Sequence, residues 1–387
     1  MNFELSREEN RIRRLAREFA EQNFILQRAI ELEERHEYPF DEWKRLGQAR
    51  LICVDYPRQY GGRGLSFAST IVAIAELCKS DPGYGMAMSL GWIPSILFAE
   101  FGSRELCTEY LPGMTMGNYL SGICFTEPNY GSDLTWAGTS AIRKGDYFVL
   151  NGDKQFITNG SYAKFFTVYA VTNPDAEKEQ ALSTMLVDRE TKGVDAAEIG
   201  EKHGSHMTSL ANVSFQDSRV PSRNLIGAMN RGFRNIVNFF NKSRIEIAAQ
   251  GLGLSEGALE KLFTYAKKNQ FVRGKLNEQA TQHRIADMRT AAESLKLLIY
   301  KAASLVDRGK TSPQYTSMAK KYSGDVAKFV TSEACHIVEP EYRRSSDIEA
   351  YNFRRFERDS KIIDIYEGTK EIQKNIVAGL ELREHGL

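Results

Sequence analysis

The chain has 387 residues, enough for two or three domains with a large hydrophobic core. Its 51 basic and 50 acidic residues nearly cancel, which argues against a nucleic-acid or membrane-surface protein. Five cysteines without a Cys-x-x-Cys pair are typical of reduced thiols in the cytoplasm, not of a disulfide framework. The close pair His203 and His206 is interpreted as part of a polar loop, and no metal site is predicted.

The first residues predict an amphipathic helix rather than an export signal. Ser6 and Glu9 have the spacing of a capping box, and Ile12, Ala16 and Phe19 follow on one helical face. No run of about 18 apolar residues occurs, so no membrane span is predicted. We therefore expect a cytoplasmic protein without a membrane partner.

The pattern of the sequence divides the chain into three predicted domains. Residues 1–122 are mostly helical in pattern, residues 123–225 contain short β-prone runs, and residues 226–387 return to long helices. An Asn-Gly pair at 151–152 predicts a turn between two strands. The expected fold class is α+β, with an N-terminal helical domain, a small central β-barrel or sheet domain, and a C-terminal four-helix bundle.

One segment, CFTEPNYGSDL at 124–134, has neither a helical nor a strand period. It contains two acidic residues, a proline and a glycine within a few positions. Irregular segments of this kind more often bring main-chain groups close to a ligand than build a core. The segment is therefore a candidate binding element.

Five motifs stand in consistent order along almost the whole chain. They are YGGRG (60–64), FTEPNYGSD (125–133), LNGDKQFITNG (150–160), DSRVPSRNLIG (217–227) and RDSKIIDIYEGTKEIQ (358–373). Together they resemble the acyl-CoA dehydrogenase family. The resemblance implies the acyl-CoA dehydrogenase fold, FAD as cofactor and an acyl-CoA thioester as substrate. It also implies electron-transfer flavoprotein as the electron acceptor, and a homotetramer or homodimer.

The resemblance assigns the flavin contacts to the irregular segment and to the strand that follows it. Main-chain groups and the hydroxyl at Phe125 and Thr126 would hydrogen-bond the flavin pyrimidine, and Ser132 would reach the pyrophosphate or the CoA arm. Thr158 would lie near flavin N5, with Phe156 against the ring. Donors aimed at the edge that gains negative charge would raise the electron affinity of the flavin.

The same resemblance places the catalytic base at Glu367. This carboxylate would take the proton next to the thioester carbonyl, and a dry pocket would make it a stronger base. Gly368 would let the backbone approach the carbonyl oxygen, to which the Glu367 N–H would donate. Ser243 stands where some relatives carry the base and has no useful basicity. The other matched positions are Thr369 and Glu371 for the flavin, and Phe240, Asn241, Arg244 and Tyr366 for the substrate.

Two motifs that bind the ADP half of a neighbouring subunit's FAD depart from the family pattern. The first reads KNQFV and gives Lys268 and Phe271, with Gln279 downstream. The second, a Gly-Gly-x-Gly loop, is replaced by a longer stretch without glycine, where Arg343 and Arg344 could contact phosphate instead. How the ADP half is held, and the assembly that depends on it, stay open.

Three functions follow from these observations. The leading one is dehydrogenation of a short, branched, cyclic or otherwise modified acyl-CoA, with Trp92 shortening the acyl pocket. A second is a family member that does not desaturate, either a flavin monooxygenase or a non-redox CoA-thioester lyase, and the retained Glu367 argues against it. A third is an FAD-poor homologue that serves as a binding or assembly partner, which the altered phosphate loop suggests.

Overall fold

A computed structural model describes residues 4–310, 312–344 and 347–387, without the side chains of 340–344. Helices come first, a sheet follows and long helices close the chain, which confirms the predicted fold class. The helices before the sheet are α1 (Arg7–Asn23), α2 (Leu26–Arg35), α3 (Phe40–Gln48), α4 (Phe67–Ser80), α5 (Pro82–Trp92), α6 (Ile96–Phe101) and α7 (Arg104–Thr115).

The first helix forms for the reason that its sequence indicates. The Glu9 N–H donates to Ser6 Oγ at 3.2 Å and the Ser6 N–H donates to Glu9 Oε2 at 2.7 Å, which completes the capping box. Ile12, Ala16 and Phe19 are buried on the inner face of α1. This face packs on α4, a helix that is buried over nearly its whole length.

An eight-stranded sheet forms the middle of the chain. Its strands run in the order β6-β7-β3-β2-β4-β5-β8, and β1 pairs with β4 in parallel. Phe148, Phe166 and Phe215 lie in its own hydrophobic core. The strands are β1 (Leu120–Cys124), β2 (Ser140–Lys144), β3 (Tyr147–Thr158), β4 (Ala163–Val171), β5 (Leu182–Asp188), β6 (Val194–Glu198), β7 (Leu210–Pro221) and β8 (Leu225–Ile226).

The turn predicted at 151–152 is wrong, because β3 continues through both residues. The register with β7 shifts between Leu150 and Gly152, so the Asn-Gly pair forms a bulge. Asn151 Nδ2 donates to Asp217 Oδ1 at 3.2 Å, and the Asp217 N–H donates back to Asn151 Oδ1 at 2.8 Å. A Cβ at Gly152 would lie 2.6 Å from Thr139 Cα, so glycine allows this close approach.

The helices after the sheet pack around α8, which has 37 residues and is therefore about 55 Å long. It contacts α4, α10 and α11, and its first half also contacts the sheet through β5. No helix in the described ranges is long and apolar enough to cross a membrane. The helices are α8 (Gly232–Lys268), α9 (Gln270–Leu276), α10 (Gln279–Asp307), α11 (Pro313–Arg344), α12 (Ile348–Ser360) and α13 (Lys370–Glu384).

A buried ion cluster fixes α12 to the N-terminal helices. Arg355 Nη2 lies 2.8 Å from Glu33 Oε1 on α2 and 2.9 Å from Asp81 Oδ1 at the start of α5. Asp359 Oδ1, one turn further on α12, accepts from the Ser205 N–H at 3.0 Å. Removing one member of such a buried cluster typically costs about 3–5 kcal/mol, so the cluster sets the position of the segment that follows α12.

Candidate active site

Glu367 lies in the loop between α12 and α13 and has a left-handed backbone, with φ of 55°. The Ser243 hydroxyl donates to Glu367 Oε2 at 2.6 Å, and Arg244 Nε donates to the Glu367 carbonyl oxygen at 3.1 Å. Burial raises the pKa of Glu367, although the Ser243 hydrogen bond and the charges of Arg244 and Lys320 act to lower it. The result is a carboxylate of increased basicity that α8 holds in place.

Gly368 completes this loop because another residue would not fit there. Its φ is 93°, and a Cβ would lie 2.6 Å from Gln373 Nε2 and 3.2 Å from Arg244 Nη2. Lys320 Nζ on α11 donates to the Gly368 carbonyl oxygen at 2.8 Å, and burial lowers the pKa of Lys320 to about 8. Sequence analysis missed Lys320, because one lysine among several on a long helix carries no distinguishing signal.

The predicted substrate residues on α8 lie together beside this loop. The Arg244 guanidinium stands 4.3 Å from the centre of the Phe240 ring, and burial lowers the pKa of Arg244 to about 10. Asn241 is buried, and its carbonyl oxygen accepts from Thr316 Oγ1 at 3.4 Å. The Phe240 ring is 6.1 Å from the ring of Phe125, which joins the α8 residues to the irregular segment.

The irregular segment is held by a buried ion pair that sequence analysis also missed. Lys154 Nζ on β3 lies 2.7 Å from Glu127 Oε1 and donates to the Phe125 carbonyl oxygen at 3.3 Å. Glu127 also accepts from the N–H groups of Gly138 and Thr139, at 2.6 and 3.0 Å. One carboxylate therefore ties the segment to the strand beside it and to the end of its own loop.

The surface that this segment forms with β3 suits a flat ring with polar edges. Phe156 has φ of 59° and a side chain that is 55% exposed, which leaves a large aromatic face uncovered. The Gln155 N–H donates to the Thr126 carbonyl oxygen at 2.9 Å and so joins the two elements. The hydroxyls of Thr126, Ser132 and Thr158 have no hydrogen-bond partner within the described residues. These residues fit the isoalloxazine ring of FAD.

The predicted wall of the acyl pocket includes polar contacts. The Tyr366 hydroxyl donates to Gln250 Oε1, and Gln250 Nε2 donates to Ser89 Oγ on α5 at 2.8 Å. Trp92, at the end of α5, is fully buried, and its role in shortening the pocket stays a prediction. Side-chain hydrogen bonds therefore connect Tyr366, next to Glu367, through Gln250 on α8 to Ser89 on α5.

The remaining predicted flavin residues lie at the start of α13. Thr369 caps this helix, since its Oγ1 accepts from the Ile372 N–H at 3.4 Å. Glu371 lies in the first turn of the helix with an exposed side chain. Both follow Glu367 closely, and their contacts with the flavin stay a prediction.

The residues predicted for the ADP half of FAD lie elsewhere. Lys268 is about 37 Å from Ser243 along α8, at about 1.5 Å per residue. Phe271 is 39% exposed and Gln279 is also exposed, so a single chain does not bring these side chains to Glu367. The side chains of Arg343 and Arg344 lie outside the part of the chain that the structure describes.

Three family models match consecutive parts of the chain. They are the N-terminal domain of acyl-CoA dehydrogenase at residues 6–118, its middle domain at 122–218 and its C-terminal domain at 230–380. The chain belongs to the acyl-CoA dehydrogenase family. This result confirms the resemblance drawn from the motifs, the oxidoreductase class, and FAD as the cofactor of the family.

Individual relatives match over nearly their whole length. An acyl-CoA dehydrogenase of Bacillus subtilis is 35% identical, over 97% of this chain and 98% of the relative. A short-chain specific acyl-CoA dehydrogenase of Clostridium acetobutylicum is 34% identical, over 98% and 99%. A chain in a solved structure of the electron transferring flavoprotein of Acidaminococcus fermentans superimposes with a TM-score of 0.92 and 34% identity, over 99% and 100%.

Proposed function

We propose that the chain removes two hydrogens from Cα and Cβ of a short or compact acyl-CoA, with Glu367 as the base. The observation that carries this proposal is the environment of one carboxyl group. Glu367 Oε2 accepts from Ser243, whereas Oε1 has no hydrogen-bond partner among the described residues and is available to take a proton. Burial raises the pKa of this group, as the removal of a weakly acidic proton requires.

The backbone of the same loop would bind the thioester. In the described part of the chain the Glu367 N–H makes no hydrogen bond, so it is free to donate to the carbonyl oxygen of the substrate. Such a donor stabilises the negative charge that develops as the α-proton leaves. Arg244 and Lys320 keep the loop in this arrangement through the carbonyl oxygens of Glu367 and Gly368. FAD, when bound, supplies the acceptor for the hydride from Cβ.

Three features support a short or compact acyl group. Trp92 is fully buried at the end of α5, and its Nε1 donates to Glu246 on α8. The Tyr366 hydroxyl donates to Gln250, which helps to hold its side chain in place. The Clostridium relative is named as short-chain specific.

We propose electron-transfer flavoprotein as the electron acceptor, which the Acidaminococcus match supports. The exposed side chains of Lys268 on α8, Phe271 on α9 and Gln279 on α10 support a homotetramer or homodimer, since they lie away from Glu367 and are accessible to a neighbouring copy. In such an assembly these residues would contact the FAD of a neighbouring copy. Acyl-CoA, electron-transfer flavoprotein and a second copy of the chain are therefore the proposed partners.

Anaerobic titration with acyl-CoAs tests this function directly. The purified protein is expected to be yellow, with one FAD per chain. Butyryl-, isobutyryl- and cyclohexanecarbonyl-CoA should bleach the oxidised flavin more readily than octanoyl-CoA. A colourless protein that refuses added FAD would contradict the proposal. Substrate turnover without any bleaching would favour a non-redox lyase. Bleaching followed by insertion of oxygen into the substrate once O2 is admitted would favour a monooxygenase.

A further inference from the structure

One face of α8 is polar where it passes the proposed acyl pocket. Ser243, Glu246 and Gln250 follow one another at helical spacing and therefore share this face. Ser243 bonds the carboxylate of Glu367, and Gln250 bonds Tyr366. The helix face that holds the proposed base thus continues with a second carboxyl group, one turn further on.

The carboxyl group of Glu246 is buried and incompletely bonded. The residue is 2% exposed, and its Oε2 accepts from Trp92 Nε1 at 3.2 Å. Its other oxygen, Oε1, has no hydrogen-bond partner among the residues that the structure describes, and it is not one of the fully enclosed unpaired atoms, so it keeps a small accessible surface. A carboxyl oxygen that is accessible beside the proposed pocket can accept a hydrogen bond from a ligand.

The charges around Glu246 include more acids than bases. The positive charge of Lys242 acts to lower the pKa of Glu246, but Lys242 already pairs with Glu100. Burial, together with the charge of Asp55, raises the pKa of Glu246 well above its usual range. The titratable groups that surround Glu246 are Cys53, Asp55, Tyr56, Glu100, Lys242 and Glu367.

We infer that the acyl group of the substrate carries a hydroxyl or amine beyond Cβ, and that Glu246 accepts a hydrogen bond from it. This inference rests on the proposed dehydrogenation. The reaction takes one hydrogen from Cα and one from Cβ, so the polar substituent has to lie further along the chain. Side chains one helical turn apart have Cβ atoms about 5–6 Å apart, which puts Glu246 within reach of such a substituent.

Matched substrates test the inference. Hydroxyacyl-CoAs of four and five carbons with a terminal hydroxyl are compared with pentanoyl- and hexanoyl-CoA, in which a methyl group replaces the hydroxyl. The native enzyme should prefer the hydroxyl member by about 10²-fold or more in kcat/KM, because a site that binds a hydroxyl rejects the analogue without it. Glu246→Leu should bring this ratio to about one or below. Glu256→Leu, further along α8, is the matched control and should leave the ratio unchanged.

A second variant separates the two kinds of donor. Glu246→Gln keeps an acceptor oxygen for a hydroxyl, so a hydroxyl substrate should lose less than about 10-fold in kcat/KM. An ammonium group needs the ionised carboxylate, so 5-aminopentanoyl-CoA should lose more than the hydroxyl substrate in this variant. Its KM on the native enzyme should also rise as the pH falls through the pKa of the carboxyl group.

Binding of unreactive thioethers keeps the inference testable without turnover. Hydroxyalkyl and alkyl thioethers of CoA lack the carbonyl group, and their dissociation constants report recognition alone. Tighter binding of the hydroxyalkyl thioether, lost in Glu246→Leu, supports the inference even when no acyl-CoA bleaches the flavin. If hexanoyl-CoA bleaches the flavin and neither assay shows a preference for the polar member, the inference fails while the proposed function stands. A Glu246→Leu protein that keeps the preference overturns it as well.

Discussion

The two ends of α8 differ in what surrounds them. Near its start, Asn241 and Arg244 are buried and contact residues from α11 and from the loop of Glu367. At its last residue, Lys268 is exposed and forms an ion pair with Glu349 at 2.9 Å. Segments of the same chain therefore cover the first end. At the far end the same chain supplies an ion pair but leaves Lys268 exposed, so a neighbouring copy has access to it.

The largest effect is expected from removing the proposed base, Glu367, which contacts the first part of α8. Glu367→Gln keeps the shape and an acceptor for Ser243, but an amide cannot take the α-proton. Flavin bleaching by substrate should fall by at least about 10²–10⁴-fold, the usual contribution of a positioned general base. Stopped-flow absorbance under anaerobic conditions measures this rate.

Glu371→Gln is the matched control, because Glu371 is an exposed carboxylate in the first turn of α13. It should bleach within a few-fold of the native rate. Both variants should stay yellow and bind acyl-CoA. If the Glu367→Gln protein bleaches at nearly the native rate, the base lies elsewhere and the assignment is wrong.

Sequence patterns predicted the features that depend on near neighbours. The capping box of α1 follows from local spacing, and Glu367 could be proposed as the base because its motif is continuous in sequence. The bulge at 151–152 was mistaken for a turn, because only pairing with β7 distinguishes the two. Glu127 and Lys154 meet across 27 residues, and no local pattern records such a contact. The domain boundaries at 1–122, 123–225 and 226–387 stay a prediction.

A smaller effect is expected from changing the backbone beside the base. In Gly368→Ala the new Cβ would lie 2.6 Å from Gln373 Nε2, on a backbone with φ of 93° that alanine adopts poorly. The loop should shift, and a misplacement of about 1 Å can cost about 10²-fold in rate. The bleaching rate and the thermal midpoint should both fall.

Gly379→Ala is the control for this variant, since nothing lies within 4 Å of the Cβ position at Gly379 in α13. It should leave the rate unchanged and stabilise the helix by up to about 1 kcal/mol. Equal rates for both alanine variants would mean that the loop tolerates a side chain at 368, and that its geometry does not limit the reaction.

The pH dependence of the reaction tests the roles of Glu367 and Ser243. Glu367 acts as a base only when ionised, and burial raises its pKa, so kcat/KM should fall in acid at a pH above the ordinary carboxyl range. The hydrogen bond from Ser243 lowers this pKa. Ser243→Ala should therefore move the acid limb to higher pH, with less than about 10-fold loss where the carboxylate is already ionised. An acid limb that stays in place would show that Ser243 does not stabilise the carboxylate.

The smallest effect is expected at the far end of α8. Lys268→Ala removes a surface ion pair with Glu349 that is worth about 0–1 kcal/mol, so the stability of the single chain should hardly change. If the far end holds the FAD of a neighbouring copy, the double variant Lys268→Ala and Phe271→Ala should raise the FAD dissociation constant by about 3–10-fold, the loss of one or two weak contacts. Lys267→Ala, one residue earlier and also exposed, should not change the FAD dissociation constant.

Sedimentation of the native protein should show a dimer or tetramer under the same conditions. A monomer that retains FAD fully, in both native and double-variant form, would mean that the far end has no part in binding the cofactor.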